Sequence, residues 1–160
     1  SIVRLAECVC SVYPSIDKEL LMSGAILHDI AKLKEYTVNN TGLVDGHTVS
    51  GMLLGHLVMG SEEVGRKCDE LGISEEIKVL LQHMLISHHG IPEYGAAVRP
   101  PFVETEVLSQ LDTLDATIYE FNDTLENVKP GEFSSRQGAL DNRKLYNHGR
   151  KQISTDVNLD

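Results

Sequence analysis

The sequence predicts an all-α protein built as a helical bundle. Apolar residues recur at three-to-four spacing in several long segments, the pattern of helices that bury one apolar face. The chain of 160 residues has no Trp and few aromatic residues, a composition that favours helix-on-helix packing over a β-sandwich. This length suits a single domain with a sizeable core.

The first third of the chain predicts two helices and then a small hairpin. Apolar residues follow a helical rhythm over residues 1–12, and Pro14 ends that helix. Ser15 or Asp17 caps the next helix, because either side chain can accept a hydrogen bond from a first-turn amide. Residues 36–46 lose the helical pattern and contain turn residues, which predicts the hairpin.

The middle of the chain predicts two further helices. One begins at about Thr48 and runs to about residue 71, with a break predicted near Gly60-Ser61. The next begins at Ser74, which is followed by the acidic residues typical of a first helical turn. It ends at Gly90, a residue that can adopt the left-handed conformation after a helix.

The composition changes after the last predicted helix, which covers about 104–127. Basic residues become frequent and apolar content falls, so we expect 129–160 to be a basic extension, loosely docked or partly disordered at its end. Residues 1–128 form the predicted domain. Because the sequence begins inside a helical pattern and without Met, we expect a fragment with an incomplete first helix.

Charge and cysteine content narrow the class of protein. A formal net charge of −10 argues against a broad basic surface for nucleic acid. Positive charge for a phosphate substrate must then be local, from metal ions or a few Lys and Arg. Cys8, Cys10 and Cys68 form no CxxC pair, which indicates reduced thiols in a cytoplasmic protein. No apolar run reaches about 18 residues, so no membrane-spanning helix is predicted.

Several residues of metal-ligand type lie on separate apolar helices. Taken singly, each also fits an ordinary polar or helix-terminal residue, but their combination favours one shared metal site. Imidazole and carboxylate ligands suit Mn, Fe, Ni, Co or Zn, and we predict one or two such divalent ions. The candidate ligands are His28, Asp29, His56, His88, His89 and Asp112.

His83 is a further candidate near this site. It precedes His88 by five residues and lies one helical turn from apolar neighbours. We predict that it edges the cavity as a hydrogen-bond partner rather than as a metal ligand.

Four pieces of the sequence resemble the HD superfamily of metal-dependent phosphohydrolases. They are Ile26-Leu27-His28-Asp29-Ile30-Ala31-Lys32, Gly55-His56, Ser87-His88-His89-Gly90 and Leu111-Asp112-Thr113-Leu114-Asp115-Ala116. Three stretches resemble more closely the HD domain of YhaM-type 3′→5′ exoribonucleases. They are His83-Met84-Leu85-Ile86-Ser87-His88-His89-Gly90, Glu93-Tyr94-Gly95 and Val98-Arg99-Pro100. The resemblance covers about residues 1–125.

The resemblance implies a role for each candidate residue. A metal-bound hydroxide would attack phosphorus in line, while the ions stabilise charge on the phosphoryl oxygens. Lys32 and Arg99 would contact the substrate phosphate, although each also fits a solvated surface residue. Asp29, Lys32 and His83 are the implied catalytic residues. The first ion would be held by His28, Asp29 and Asp112, and Asp29 would bridge to a second ion held by His56, His88 and His89.

The family pattern also begins with a His on the first helix, and no His precedes His28 in this sequence. Either that His lies upstream of Ser1 or the site is degraded. The implied function is phosphodiester hydrolysis by the HD domain of a 3′→5′ exoribonuclease, with RNA or a nucleotide as substrate. The alternatives are a nucleotide or cyclic-dinucleotide phosphohydrolase and a metal-binding but inactive regulatory domain. A homo-oligomer is left open, and no membrane partner is expected.

Overall fold

The computed structural model describes residues 1–150 of the chain. The predicted all-α class is confirmed, and so is the small hairpin predicted within 36–46. The strands pair as two separate antiparallel hairpins, β1 with β2 and β3 with β4. The elements are α1 (Ile2–Val12), α2 (Lys18–Leu27), α3 (Lys32–Glu35), β1 (Tyr36–Val38), β2 (Val44–His47), α4 (Val49–Glu70), α5 (Glu75–Ser87), α6 (Val103–Glu126), β3 (Phe133–Gln137) and β4 (Arg143–Tyr146).

The described residues divide into two compact units, 1–115 and 116–150. The second unit contains the end of α6 and the hairpin β3–β4, in which Leu145 is buried. The domain boundary at residue 128 and the loose docking of the extension stay predictions. The disorder predicted at the C-terminal end concerns residues 151–160, which lie outside the described residues.

The core of the first unit is made by the apolar faces of its helices. Leu21, Met84, Leu85 and Leu108 are fully buried there. Helices α2 and α5 approach closely because Gly24 has no side chain. A Cβ atom at Gly24 would lie 2.3 Å from Cε of Met84. This close packing brings the C-terminal ends of α2 and α5 toward each other.

Helix α4 bends at Gly55, and the break predicted near Gly60-Ser61 is therefore misplaced. Gly55 has φ 70° and ψ 163° inside the helix, a conformation that only glycine adopts readily. Gly60 serves close packing instead, since a Cβ atom there would lie 3.1 Å from Cδ2 of Leu85. A glycine in a sequence does not reveal which of these two uses it has.

None of the helices within residues 1–150 is both long and apolar enough to cross a membrane. Cys8, Cys10 and Cys68 form no disulfide within that part of the chain. The cytoplasmic location stays a prediction.

Candidate metal centre

The structure brings together the six ligand-type side chains that the sequence singled out. Two of the segments that carry them are the C-terminal ends of helices, a third is the bend of α4, and the fourth lies in α6. The residues are His28 and Asp29 after α2, His56 beside the bend, His88 and His89 after α5, and Asp112 in α6.

Asp29 lies at the centre of the cluster. Its Oδ2 is 3.3 Å from Nε2 of His28, and its Oδ1 is 3.5 Å from Nε2 of His56 and 3.8 Å from Nε2 of His88. On the far side, Oδ1 of Asp112 is 3.7 Å from Nε2 of His28. Two atoms bound at about 2.1 Å to one tetrahedral ion lie roughly 3.4 Å apart. The spacings are therefore close to those of atoms that share a metal ion.

His56, His88 and His89 form a second group on one side of Asp29. One ligand atom from each lies within 4.8 Å of the others. The ring centroids are 4.6 Å apart for His88 and His89 and 5.2 Å apart for His56 and His89. The two oxygens of Asp29 thus face different imidazoles, which is the arrangement that a bridging carboxylate requires.

A hydrogen bond on Nδ1 orients each of the four imidazoles. Every partner is a carbonyl or carboxylate oxygen, which can only accept, so Nδ1 carries the proton. This leaves the lone pair on Nε2, as is usual for histidines that bind metals. The acceptors are the carbonyl of Ala25 for His28 (3.0 Å), Oε2 of Glu35 for His56 (2.9 Å), the carbonyl of Leu85 for His88 (2.9 Å) and the carbonyl of Tyr94 for His89 (2.8 Å).

The atoms that face the centre of the cluster lack hydrogen-bond partners. Nε2 of His28, His56 and His88 and Oδ1 of Asp29 are buried and unpaired among the described residues. Each such unpaired buried group costs about 1–3 kcal/mol. Divalent cations would satisfy all four, and a set of imidazole nitrogens and carboxylate oxygens fits a borderline transition metal.

The protonation states of His88 and Asp29 also suit a cation. Burial lowers the pKa of His88 to about 3, so its imidazole is neutral at physiological pH. Burial opposes ionisation of Asp29, but the neighbouring His28 and Lys32 outweigh it and hold the pKa of Asp29 well below its usual range. Burial likewise opposes the charge on His28, yet the Asp29 carboxylate prevails and raises the pKa of His28, so a proton competes with a cation for its Nε2.

Glu35 belongs to this site, and the sequence analysis missed it. Its side chain is buried, its Oε2 accepts the hydrogen bond from Nδ1 of His56, and its Oε1 accepts one from the His56 backbone amide at 3.3 Å. That amide is free to donate because α4 bends at Gly55. A glutamate at the end of a short helix resembles a surface residue, so no sequence pattern marked it.

Lys32 lies at the edge of the cluster. Its Nζ donates to Oδ2 of Asp29 at 2.8 Å, and its side chain is 41% exposed. The ammonium group therefore touches both the candidate ligand and solvent. Its contact with a substrate phosphate stays a prediction.

No side-chain hydrogen bond or ion pair within residues 1–150 joins His83 or Arg99 to the cluster. The His83 ring packs on Phe102, 5.4 Å between centroids, and its Nε2 is buried without a hydrogen-bond partner among the described residues. The hydrogen bond predicted for His83 is therefore not found in that part of the chain. Arg99 is exposed in the loop after α5. Their roles in catalysis and substrate binding stay predictions.

The chain belongs to the HD domain family, whose model matches residues 2–117. The resemblance to metal-dependent phosphohydrolases that the motifs predicted is thereby confirmed.

Curated relatives carry a more specific name. The 3'-5' exoribonuclease YhaM of Bacillus licheniformis is 44% identical over 148 residues, which are 91% of this chain and 46% of that protein. The proteins of the same name from Listeria welshimeri serovar 6b and Bacillus pumilus are 44% and 42% identical, over 92% and 91% of this chain and 46% of each relative. The chain spans about half the length of the curated relatives it matches. The comparison with solved structures gave no significant match.

Proposed function

We propose that this chain is the metal-dependent phosphodiesterase domain of a 3′→5′ exoribonuclease. The observation that carries the proposal is the set of buried, unpaired nitrogen and oxygen atoms around Asp29. Oriented donors of this kind suit divalent ions, and divalent ions suit phosphate chemistry. The YhaM relatives, which are named as exoribonucleases, support RNA as the substrate class.

In this proposal the chain holds two ions of Mn, Fe, Ni, Co or Zn. When bound, such ions lower the pKa of a coordinated water and neutralise charge on phosphoryl oxygens. The carboxylate of Asp29 would contribute a ligand to each of the two ions. The remaining ligands are His28 and Asp112 for the first ion, and His56, His88 and His89 for the second.

Lys32 supplies local positive charge in an otherwise acidic protein. Burial disfavours its charged form, but the Asp29 carboxylate outweighs burial and raises the pKa of Lys32. The ammonium group is therefore charged throughout the physiological range. Its exposed side can hold a phosphoryl oxygen of the RNA next to the ions, and Arg99 can contact a second phosphate.

Metal analysis combined with hydrolysis assays tests the proposal. The purified chain is loaded with Mn²⁺, its ions are counted, and hydrolysis of bis-p-nitrophenyl phosphate is followed. Single-stranded RNA labelled at its 5′ end is then compared with mononucleotides and cyclic dinucleotides. We expect bound metal, diester hydrolysis and stepwise shortening of the RNA from its 3′ end. A chain that holds metal but cleaves no diester would contradict the proposal, as would cleavage restricted to nucleotides.

Replacement of the bridging carboxylate gives a sharper result. Asp29→Ala removes the atoms that face three imidazoles, so metal content and hydrolysis should be lost together. Asp45→Ala changes an exposed carboxylate in β2 and serves as the matched control. An Asp29→Ala variant that keeps its activity would refute the bridging role.

A further inference from the structure

A pocket of about 270 Å³ lies beside the metal-ligating group, between the bend of α4 and the loop after α5. The imidazoles of His56 and His89 form part of its wall. Any ligand in this pocket would therefore be next to a phosphate held at the metal centre. Apart from the wall that His56 and His89 contribute, the candidate metal ligands and phosphate contacts assign no role to the space in this pocket.

Apart from Glu35, the rest of the wall is mainly apolar. Leu54, Val58 and Ile86 line it, and so does Tyr94, whose side chain is among the most exposed aromatic groups of the described residues. Leu54 is 49% and Val58 39% exposed, so apolar surface faces the opening. A mainly apolar slot lined in part by an aromatic residue fits a flat ring system, because every nucleobase has an apolar face that can stack.

The Glu35 carboxylate and the Nδ1 atoms of the wall are already engaged in hydrogen bonds, and Nε2 of His56 is a candidate metal-binding atom. Nδ1 of His56 donates to Glu35, and Nδ1 of His89 donates to the carbonyl of Tyr94. A base in the pocket would consequently meet few groups able to read its hydrogen-bonding edge. The pocket is also somewhat smaller than the roughly 300–1,000 Å³ typical of drug-sized ligands. It can take one nucleoside but not a longer piece of RNA.

We infer that this pocket binds the base of the 3′-terminal nucleotide, the one released by the reaction, with little preference for its identity. The inference rests on the proposed function. A pocket for a single residue suits the end of the strand, because the remaining nucleotides must continue into solvent. Stacking is worth about 1–3 kcal/mol per base, which corresponds to an affinity difference of about 5- to 150-fold.

The test compares an RNA oligonucleotide with a twin whose 3′-terminal residue is abasic. Equilibrium binding is measured by fluorescence anisotropy in EDTA, so that the reading does not depend on hydrolysis. We expect the abasic twin to bind about 5- to 150-fold more weakly, and the four bases at that position to bind within a few fold of one another. Equal binding of the twin, or a strong preference for one base, would overturn the inference.

Variants of pocket residues test whether the affinity difference between the two oligonucleotides arises in this pocket. Val58→Phe fills the slot and should weaken binding of the normal oligonucleotide while leaving the abasic twin unchanged. Val49→Phe, at a 78% exposed position of α4 outside the pocket, is the matched control. If Val58→Phe does not fold, Leu54→Ala is the substitute variant. It shortens a side chain of the wall and should also weaken binding of the normal oligonucleotide without changing binding of the abasic twin. Equal losses on both oligonucleotides would count against a base site.

Failure of the inference and failure of the proposed function are distinguishable. If the chain prefers the terminal base in EDTA but cleaves no diester with Mn²⁺, base binding in the pocket is supported and the proposed activity is contradicted. If the chain binds and cleaves the RNA and its abasic twin equally well, the proposed activity is supported and base binding in the pocket is contradicted.

Discussion

Individual side chains of the cluster differ in what they do for the site. Asp29 faces three imidazoles directly, whereas Glu35 acts only through His56. A carboxylate behind a ligating histidine fixes the ring and its tautomer, and its loss typically lowers metal affinity by about 10- to 100-fold. Glu35 is therefore a positioning residue in the proposed site.

The first residue-scale prediction concerns Glu35→Ala. With the acceptor gone, the His56 ring can rotate and the His56 amide loses a partner, so the second ion should be held about 10- to 100-fold more weakly. The first ion should remain, because neither His28 nor Asp112 contacts Glu35. Titration with Mn²⁺ followed by metal analysis measures both affinities.

Two controls accompany this variant. Glu62→Ala removes an exposed carboxylate of α4 and should leave both affinities unchanged. Glu35→Gln keeps an acceptor for Nδ1 and should restore part of the lost affinity. Unchanged binding of both ions in Glu35→Ala would show that His56 needs no such partner.

At the scale of the elements, the site depends on how closely α4 approaches the end of α3. The backbone amide of Thr48 donates to the Glu35 carbonyl at 2.9 Å, and Gly51 packs on the same residue. A Cβ atom at Gly51 would lie 2.3 Å from the Glu35 carbonyl oxygen. Glycine at this position thus lets the two segments close around His56.

The element-scale prediction is that Gly51→Ala pushes α4 away from Glu35. A clash with backbone cannot be relieved by a rotamer change, so we expect the unfolding free energy to fall by about 1–3 kcal/mol. Binding of the second ion should weaken in parallel. Urea unfolding measures the first effect and metal titration the second.

Gly138→Ala is the control for this variant, because a Cβ atom at Gly138 would meet nothing within 4 Å and its φ lies outside the left-handed region. Its unfolding free energy should be nearly unchanged. An equal response of the two variants would mean that the close approach at Gly51 has no special importance.

For the whole molecule, metal binding is expected to stabilise the fold, because the cluster joins residues from α2, α4, α5 and α6. An ion that binds only the folded chain at 100 times its dissociation constant adds about 2.7 kcal/mol. For a protein of this size that corresponds to a Tm increase of roughly 5–10 °C. EDTA should remove the increase, and added Mn²⁺ should restore it, as differential scanning calorimetry can measure.

The variant His88→Ala tests whether this effect comes from the cluster. Its Tm should respond to EDTA and Mn²⁺ less than that of the unchanged chain, because a fully buried ligand of the proposed second ion is missing while the ligands of the first ion remain. His148→Ala, at an exposed position outside the cluster, should respond like the unchanged chain. A His88→Ala variant with the full metal response would place the stabilising ion elsewhere.

The net charge of −10 affects how RNA affinity should depend on salt concentration. If Lys32 and Arg99 are the main phosphate contacts, log K should fall with log salt with a slope of about −1.4, or −0.7 for each contact. Lys32→Ala should reduce the slope by about 0.7. Fluorescence anisotropy over a range of KCl concentrations gives these values, and a much steeper slope would reveal a basic surface that this prediction omits.

The sequence by itself determined the long helices α1, α2, α4, α5 and α6 and the identity of the candidate ligands. Apolar spacing and helix-end residues are local signals, so α2 and α5 could be located together with the His and Asp residues that follow them. The family resemblance added the expectation that these residues meet in one site. The motifs carried no signal for Glu35, whose position matters only once another helix lies over it.

Tertiary structure alone decided the remaining features of the site. The bend of α4 at Gly55 rather than near Gly60, the burial of Glu35 beside His56 and the pocket next to His89 all depend on segments distant in sequence. Such approaches are fixed by side-chain packing across the core. The hydrophobic periodicity of one segment carries no information about that packing. The candidate ligands could therefore be predicted from the sequence, whereas Glu35, which orients His56, and the pocket beside His89 could not.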